Sequence, residues 1–372
     1  MKKCRLCNYV IKDTILTLEN MPFSAQGFLD ENELLNDKSV TLNICQCSKC
    51  GLVQLDNEAV PYYKDVIRAT AYSSEMKEFR LKQFYNFIDK FNLKEKKVIE
   101  IGCGKGEYLE LMSKFVKQCY GIEHSTKSVD IATKKGLNVF QGYLEDKHYT
   151  IDNSPYDAFF IMSFLEHIPN LNSFLEAIYN NLSNGAVGLV EVPNFDMIIK
   201  NNLFSEFISD HLYYFTMETL RRVLELNGFE IIEIRSVWYD YIISAIVKKR
   251  EKIDLSNFTN IQNNLKISFN NLLKQYTKVA VWGAGHQSLA LISLMNIKDK
   301  IEFIIDSAPF KQGLYTPATH LKIYPPDKLI NSNIEAIIVI AGSYNEEVIK
   351  TIKKMQIDIK IFQITNGRIE NV

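Results

Sequence analysis

An α/β fold is predicted for this chain: a doubly wound sheet at its centre, a small cysteine-rich module in front, and a second, smaller α/β domain behind. Three observations predict it. From about residue 76 onward, apolar strand-like runs alternate with amphipathic helical ones. A glycine turn joins a strand to a helix twice, at Gly102 to Gly106 and again at Gly283 to Gly285. Near the N-terminus four cysteines pair as Cys4-x-x-Cys7 and Cys47-x-x-Cys50.

Taken in order, residues 1–75 carry the cysteine pairs, short strand-like runs and the turn-prone Met21-Pro22-Phe23. Residues 76–248 hold the central domain. In it Lys97 to Ile101 reads as a strand, Glu107 to Phe115 as a helix, Cys119 to Glu123 as a strand and Ala158 to Met162 as another. Ala186 to Val192 follows the Asn184-Gly185 turn as a fifth strand; helix Met217 to Leu226 then leads through Asn227-Gly228 into Phe229 to Ile234, with the last strands forming a hairpin. Over residues 249–277, Phe258, Ile261, Leu265, Phe269, Leu272 and Tyr276 recur at three- and four-residue spacing, the signature of one apolar helix face. That helix is expected to connect to the last domain, residues 278–372, with strands Lys278 to Trp282, Glu302 to Ile305 and Ala336 to Ile340.

Composition narrows the function. At 372 residues the chain exceeds one ordinary domain, since single cores stop growing near ~250 residues. It has 43 Lys and Arg against 44 Asp and Glu, so no overall positive field exists to hold a nucleic acid or an anionic membrane. No apolar run approaches the ~20 residues that cross a bilayer, and polar and acidic residues interrupt the stretch after the basic start Met1-Lys2-Lys3. Seven cysteines, four of them in two close pairs, suit a reducing compartment. These features predict a cytoplasmic protein whose partner is a small molecule.

The most informative stretch is Val98-Ile99-Glu100-Ile101-Gly102-Cys103-Gly104-Lys105-Gly106-Glu107. A strand runs into a turn with glycine at alternate positions, and a helix starts directly after it. Glycine permits positive φ and lets a ligand lie against bare backbone, while a helix N-terminus offers unpaired N–H groups. The dinucleotide fingerprint would need a third glycine at 107, where this chain has glutamate.

Both cysteine pairs have the spacing of metal knuckles, in which a tight turn aims two thiolates at one tetrahedral Zn²⁺. Four protein ligands, Cys4, Cys7, Cys47 and Cys50, leave no open position, so the ion is expected to be structural. Cys45 lies close enough in sequence to stand in for Cys47. Cys103 and Cys119 read as ordinary buried thiols.

The G-x-G-x-G spacing, with Glu100 before the loop and Glu123 ending the next strand, resembles the first motif of class I S-adenosylmethionine-dependent methyltransferases. That resemblance implies that Glu123 holds the ribose hydroxyls, that Glu100 lies near the methionine part, and that Gly102, Gly104 and Gly106 cradle the cofactor. Tyr156 to Pro169 looks like the fourth-strand segment of the same superfamily, which places Ser163, Leu165 and His167 at the cofactor's border, His167 either as a catalytic group or as pocket wall. Over nearly the whole chain, the order of cysteine module, cofactor domain and late motif Asp306-Ser307-Ala308-Pro309-Phe310-Lys311-Gln312-Gly313 resembles the zinc-containing sugar C-methyltransferases that act on nucleotide-linked keto-deoxysugars.

In that family a Tyr-x-Glu-His segment followed by Leu-x-Tyr-Phe supplies acid–base groups. The matching stretch here is Ile208-Ser209-Asp210-His211-Leu212-Tyr213-Tyr214-Phe215, with aspartate for glutamate and isoleucine for the tyrosine. The resemblance therefore implies His211 as the base, with Asp210 orienting or charging it, and Tyr214 and Tyr72 near the substrate. His286, Lys311, Gln312 and Tyr315, with His320 and Tyr344, are expected to line the cleft that receives the nucleotide-sugar. Three alternatives stay open: O-methylation of a sugar hydroxyl by the same histidine; a nicotinamide oxidoreductase using Gly283-Ala284-Gly285-His286-Gln287-Ser288 with Asp306 as ribose ligand; and an inactive cofactor-binding module.

Overall fold

The computed structural model describes residues 2–24, 28–65 and 73–372, so the expected substrate residue Tyr72 lies outside the described residues. The chain divides into two compact units, Met1–Glu251 and Lys252–Val372.

The first unit is organised by a seven-stranded sheet. Its order is Phe229–Val237, Ile242–Lys249, Leu182–Pro193, Tyr156–Met162, Lys97–Ile101, Gln118–Glu123 and Asn138–Gln141. The last five run parallel, while Ile242–Lys249 is antiparallel to both of its neighbours, the hairpin expected at the end of this domain. Because Lys97–Ile101 has Gln118–Glu123 on one side and Tyr156–Met162 on the other, chain connections leave it in opposite directions. A crevice opens there, at the carboxyl ends of the strands. Both faces of the central strands are covered, which is why Val98, Ala158, Phe159 and Phe160 form continuous apolar runs with no alternation. Helix Ser74–Lys90 is pinned from outside the sheet by a buried ion pair between Arg80 and Glu191.

Two expected elements differ in extent. The helix from Glu107 stops at Met112 instead of Phe115: Ser113 Oγ donates to the Glu110 carbonyl at 3.0 Å, and Phe115 N turns back to Met112 O at 3.0 Å. The Asn184-Gly185 pair is no turn before a strand. It forms a bulge inside one strand, Leu182–Pro193, where the register against Tyr156–Met162 jumps between Leu182 and Val187.

The cysteine-bearing segment builds a second sheet in the same unit, and its fourth strand comes from far along the chain. The order is Tyr213–Tyr214, Val53–Leu55, Val40–Gln46, Thr14–Met21, all antiparallel. Tyr213 pairs with Gln54 and Tyr214 with Val53, so the aromatic tail of the His211 segment closes the edge of the N-terminal sheet.

In the second unit a six-stranded sheet runs Ile323–Tyr324, Ile301–Ile305, Val279–Trp282, Ala336–Val339, Lys360–Thr365 and Arg368–Asn371, parallel except for the last pair. Helix Ser256–Gln275 buries Leu265, Phe269, Leu272 and Leu273 in this unit's core beside Val279, Val281 and Ile338. Phe258, expected on the same apolar face, is 66% exposed, because residues 251–260 all precede the point where the helix meets the sheet.

Candidate active site

Gly102, Gly104 and Gly106 all have positive φ, at 70°, 57° and 82°. Two of them are also sterically closed to a side chain. A Cβ on Gly102 would stand 2.8 Å from the Phe164 ring, and one on Gly106 would stand 2.4 Å from Leu137 Cδ1. The loop is therefore pressed between two apolar side chains while its Gly104 amide faces outward. That amide donates to Glu123 Oε2 at 2.9 Å, and the other carboxylate oxygen takes the Ser125 amide at 2.9 Å. An acid at the end of the neighbouring strand thus organises the loop.

The narrow cleft above this loop is walled by Gly102, Glu123, His124, Gly142, Tyr143, Leu144, Phe164 and Phe174, with Lys64 entering from the N-terminal segment. Tyr143 stacks edge-on with Tyr63 and His124 at 5.9 Å from each, and burial raises its phenol far above the ordinary range. Sequence reasoning missed Lys64, His124 and the 142–144 turn. The short strand Asn138–Gln141 ahead of Gly142 was the available signal. Glu100 is fully buried within its strand; Leu165 is buried in the core, and Ser163, at φ 48°, sits half-buried where its N–H joins the Glu191 carbonyl at 2.9 Å.

One turn past Phe164, which walls this cleft and whose carbonyl takes the His167 amide at 3.2 Å, two histidines meet. The rings of His167 and His211 lie edge to face with centroids 4.8 Å apart. His167 is buried, and its Nδ1 lies 2.8 Å from the main-chain oxygen of Asp210; a carbonyl only accepts, so Nδ1 carries a hydrogen and Nε2 is the nitrogen turned toward Glu166. Glu166 Oε1 stands 3.9 Å from that Nε2. Burial, then the neighbouring His167, hold the pKa of His211 well below the usual imidazole range, so His211 is a neutral base at neutral pH. Asp210 enters this arrangement through its backbone. Its carboxylate turns toward Ser209 Oγ, 3.3 Å from Oδ2, and toward the Tyr62 phenol.

The loop holding these groups is tied down by its surroundings. Ser209 Oγ donates to the Phe23 carbonyl at 2.7 Å, the Leu212 amide to the Glu166 carbonyl at 2.8 Å, and the Leu55 amide to the Leu212 carbonyl at 3.0 Å. Tyr214 is 4% exposed and its hydroxyl brackets Ile208, accepting from the amide at 2.9 Å and donating to the carbonyl at 3.2 Å. Its place in the fold is that of a clamp on the loop that carries Asp210 and His211. At the rim, Tyr241 donates to Glu206 Oε2 at 2.8 Å; burial and that carboxylate push its phenol up to about 12.

The sulfurs of Cys4, Cys7, Cys47 and Cys50 lie within 4.8 Å of one another, with Cys4 to Cys50 at 3.5 Å and Cys7 to Cys47 at 3.6 Å. Thiolates on one tetrahedral zinc stand roughly 3.8 Å apart, given a Zn–S distance of about 2.3 Å, so the donor set and its spacing fit that ion. Cys45 is turned elsewhere, its sulfur 3.8 Å from both Thr14 Oγ1 and Lys2 Nζ. The cluster packs on the catalytic unit: Arg222 donates to the Cys50 carbonyl at 3.0 Å and Asn172 to the Leu6 carbonyl at 2.8 Å.

The second unit has its own crevice of about 650 Å³ at the carboxyl ends of its strands, lined among others by Gly283, His286, Asp306, Lys311 and Tyr344. Asp306 takes the Ala284 amide at 2.7 Å, the Ala308 amide at 2.9 Å and Lys311 Nζ at 3.0 Å. Gln312 stands behind this group with its amide on the Asp306 carbonyl; Tyr315 is 61% exposed beside Lys322, and His320 occupies a left-handed turn at φ 57°.

Residues 72–234 match the family model of a methyltransferase domain, and residues 255–362 match that of a C-methyltransferase C-terminal domain. Among curated proteins, the C-methyltransferase NovU of Streptomyces niveus is 20% identical over 95% of this chain and 92% of its own length. A ubiquinone biosynthesis O-methyltransferase of Burkholderia cenocepacia is 27% identical over 46% of this chain and 77% of its own. A solved S-adenosylmethionine-dependent methyltransferase from Clostridium acetobutylicum covers 51% of this chain and 96% of its own, at 15% identity and a TM-score of 0.40. With a glycine loop of the G-x-G-x-G type, an acid on the neighbouring strand and both family models in sequence order, the chain is an S-adenosylmethionine-dependent methyltransferase that carries a class I methyltransferase domain followed by a C-methyltransferase C-terminal domain.

Proposed function

We propose that this enzyme C-methylates a nucleotide-linked keto-deoxysugar, with His211 as the base. The observation that carries this reading is the His167–His211 pair one turn past Phe164, in which burial keeps His211 neutral and able to accept a proton. Likeness to a C-methyltransferase along nearly the whole chain supports it.

In this reading Gly102, Gly104 and Gly106 hold the cofactor's backbone side and Glu123 its ribose hydroxyls, exchanging the Gly104 amide for them. When bound, S-adenosylmethionine supplies the methyl group. His211 removes the proton from the carbon next to the sugar ketone, and the electron pair of that C–H bond becomes the enolate that forms the new C–C bond. His167, fixed in one tautomer by the Asp210 carbonyl, accepts a hydrogen bond from the protonated His211 and spreads its charge toward Glu166. Asp210 serves as a main-chain anchor in this scheme. The four cysteines hold a structural zinc that keeps the N-terminal sheet, and with it the Tyr213–Tyr214 edge, in place. His286, Lys311 and Tyr344 in the C-terminal crevice, with Gln312 and Tyr315 near it, receive the nucleotide, whose phosphates compete with Asp306 for Lys311.

Incubation with S-adenosylmethionine and a panel of nucleotide-linked keto-deoxysugars, followed by NMR of the product, tests the reading. A new carbon-bound methyl signal is expected, together with exchange of the substrate proton into deuterated solvent. An oxygen-bound methyl would instead favour the second reading, O-methylation, which the likeness to O-methyltransferases supports. Methyl transfer with no solvent exchange in an enolisable substrate would remove His211 from its role.

A further inference from the structure

A second metal-type cluster lies apart from the four cysteines. Ligand atoms of Glu166, His167 and His211 all fall within 4.8 Å of one another. Glu166 and His167 are buried and His211 is half-buried, so the cluster has one side that solvent can reach. Its chemistry is that of a transition-ion site. Two imidazoles and one carboxylate suit zinc, cobalt, nickel or iron, and three protein ligands leave a position for water. The orientation of His167 is also that of a ligand: metal-bound histidines characteristically donate the remaining ring N–H to a carbonyl or carboxylate, as Nδ1 does here to Asp210 O at 2.8 Å, which aims Nε2 at the cluster.

Size and charge are compatible with an ion. On a tetrahedral ion with ligands at about 2.0–2.1 Å, ligand atoms stand roughly 3.4 Å apart. Glu166 Oε1 and His167 Nε2 are at 3.9 Å, so closing on the ion requires side-chain movement of about an ångström or less for that pair. A buried dication needs anionic company. Glu166 provides it directly.

We propose that Glu166, His167 and His211 bind a divalent transition ion and that its occupancy switches the enzyme off, because the ion takes the His211 lone pair that would otherwise accept the substrate proton. The switch rests on the assignment of His211 as base; the site itself does not.

The test uses full-length enzyme loaded with zinc at the cysteines, titrated with Co²⁺. One further equivalent of cobalt is expected, with weak visible absorption of a nitrogen and oxygen site and without the intense near-ultraviolet sulfur-to-cobalt band that exchange into the cysteine cluster would produce. Glu166→Gln and His167→Gln should each weaken cobalt uptake at least tenfold while S-adenosylhomocysteine still binds, which shows that the variants are folded. No further equivalent in the wild type, or equal uptake by both variants, overturns the site. Turnover should fall at least tenfold on cobalt addition and return with EDTA while the cysteine-bound zinc stays in place. Uptake with undiminished turnover overturns the switch, whereas His211→Asn in metal-free buffer tests the base assignment alone.

Discussion

The molecule uses one device twice and finishes it differently. In each unit a strand runs into a glycine turn, and an acid at the end of the neighbouring strand takes an amide of that turn: Glu123 takes Gly104 at 2.9 Å, and Asp306 takes Ala284 at 2.7 Å. In the first unit, Glu123 is otherwise held by the Ser125 amide, and an incoming pair of hydroxyls can replace these neutral donors at small electrostatic cost. In the second, Lys311 also sits on the carboxylate at 3.0 Å, so the two charges offset each other and Asp306 is less open to hydroxyls than Glu123. Gly283 differs too: a Cβ there would stand 2.3 Å from the Ile340 carbonyl oxygen, so this glycine serves close packing of two strands. In the proposed reading the first crevice holds the cofactor's hydroxyls and the second receives the nucleotide. The first also has the histidine pair one turn past its Phe164 wall. A nicotinamide oxidoreductase would need Asp306 for ribose hydroxyls, which its three existing partners oppose.

Four measurements would sharpen or break this contrast. The largest effect is expected from His211→Asn, which should lower turnover about 10²- to 10⁴-fold with unchanged S-adenosylhomocysteine affinity by calorimetry. Lys311→Ala is its opposite number: it should raise KM for the nucleotide-sugar with kcat nearly kept, and an equal loss in kcat would mean that the second crevice takes part in the chemistry. Next, Glu123→Ala should weaken S-adenosylhomocysteine roughly ten- to a hundredfold, the scale of losing charge-assisted hydrogen bonds of about 1.5–3 kcal/mol, while Asp306→Ala leaves that affinity alone. Equal effects of the two substitutions would erase the distinction between the loops.

The smallest effect concerns pH. His211 binds protons less readily folded than unfolded, so the unfolded chain takes up the extra proton as pH drops. Its contribution to stability is complete above the ordinary histidine pKa near ~6.5 and is lost progressively below it. Denaturant titrations from pH 7.5 down to 5 should show stability falling through this window, and the fall should be shallower in His211→Asn. A variant as acid-sensitive as the wild type would mean that other groups dominate.

Much of the fold was legible because its determinants are local. Strand Ala336–Val339 is a run of buried apolar residues, Lys97–Ile101 buries Val98, Ile99 and Ile101 around Glu100, helix Met217–Leu226 starts at a Thr216 cap, and each glycine loop sits between a strand and a helix. The cysteine spacing likewise announced a cluster whose sulfurs do converge. Less legible were the helix that stops at Met112, because a serine hydroxyl competes for its carbonyl, and the bulge at Asn184-Gly185, which reads as a turn in sequence. Lys64 and His124 escaped notice because nothing in their own neighbourhood marks them as lining the cleft, and Tyr143 becomes visible only once the short strand Asn138–Gln141 before it is recognised.

What the sequence determined by itself is therefore the set of short-range devices: two nucleotide-type loops, two metal knuckles and the helices that cover the sheets, each encoded within a dozen residues by spacing and residue type. Only the tertiary structure decided that Tyr213–Tyr214 would close the N-terminal sheet against Val53–Leu55, that Asp210 would act through its carbonyl, and that His211 would meet His167. A two-residue strand has no periodicity to read, and its partner lies more than 150 residues away in the chain. That pairing exists because the edge hydrogen bonds and aromatic side chains are satisfied nowhere else, a condition the packed fold imposes and no local pattern records.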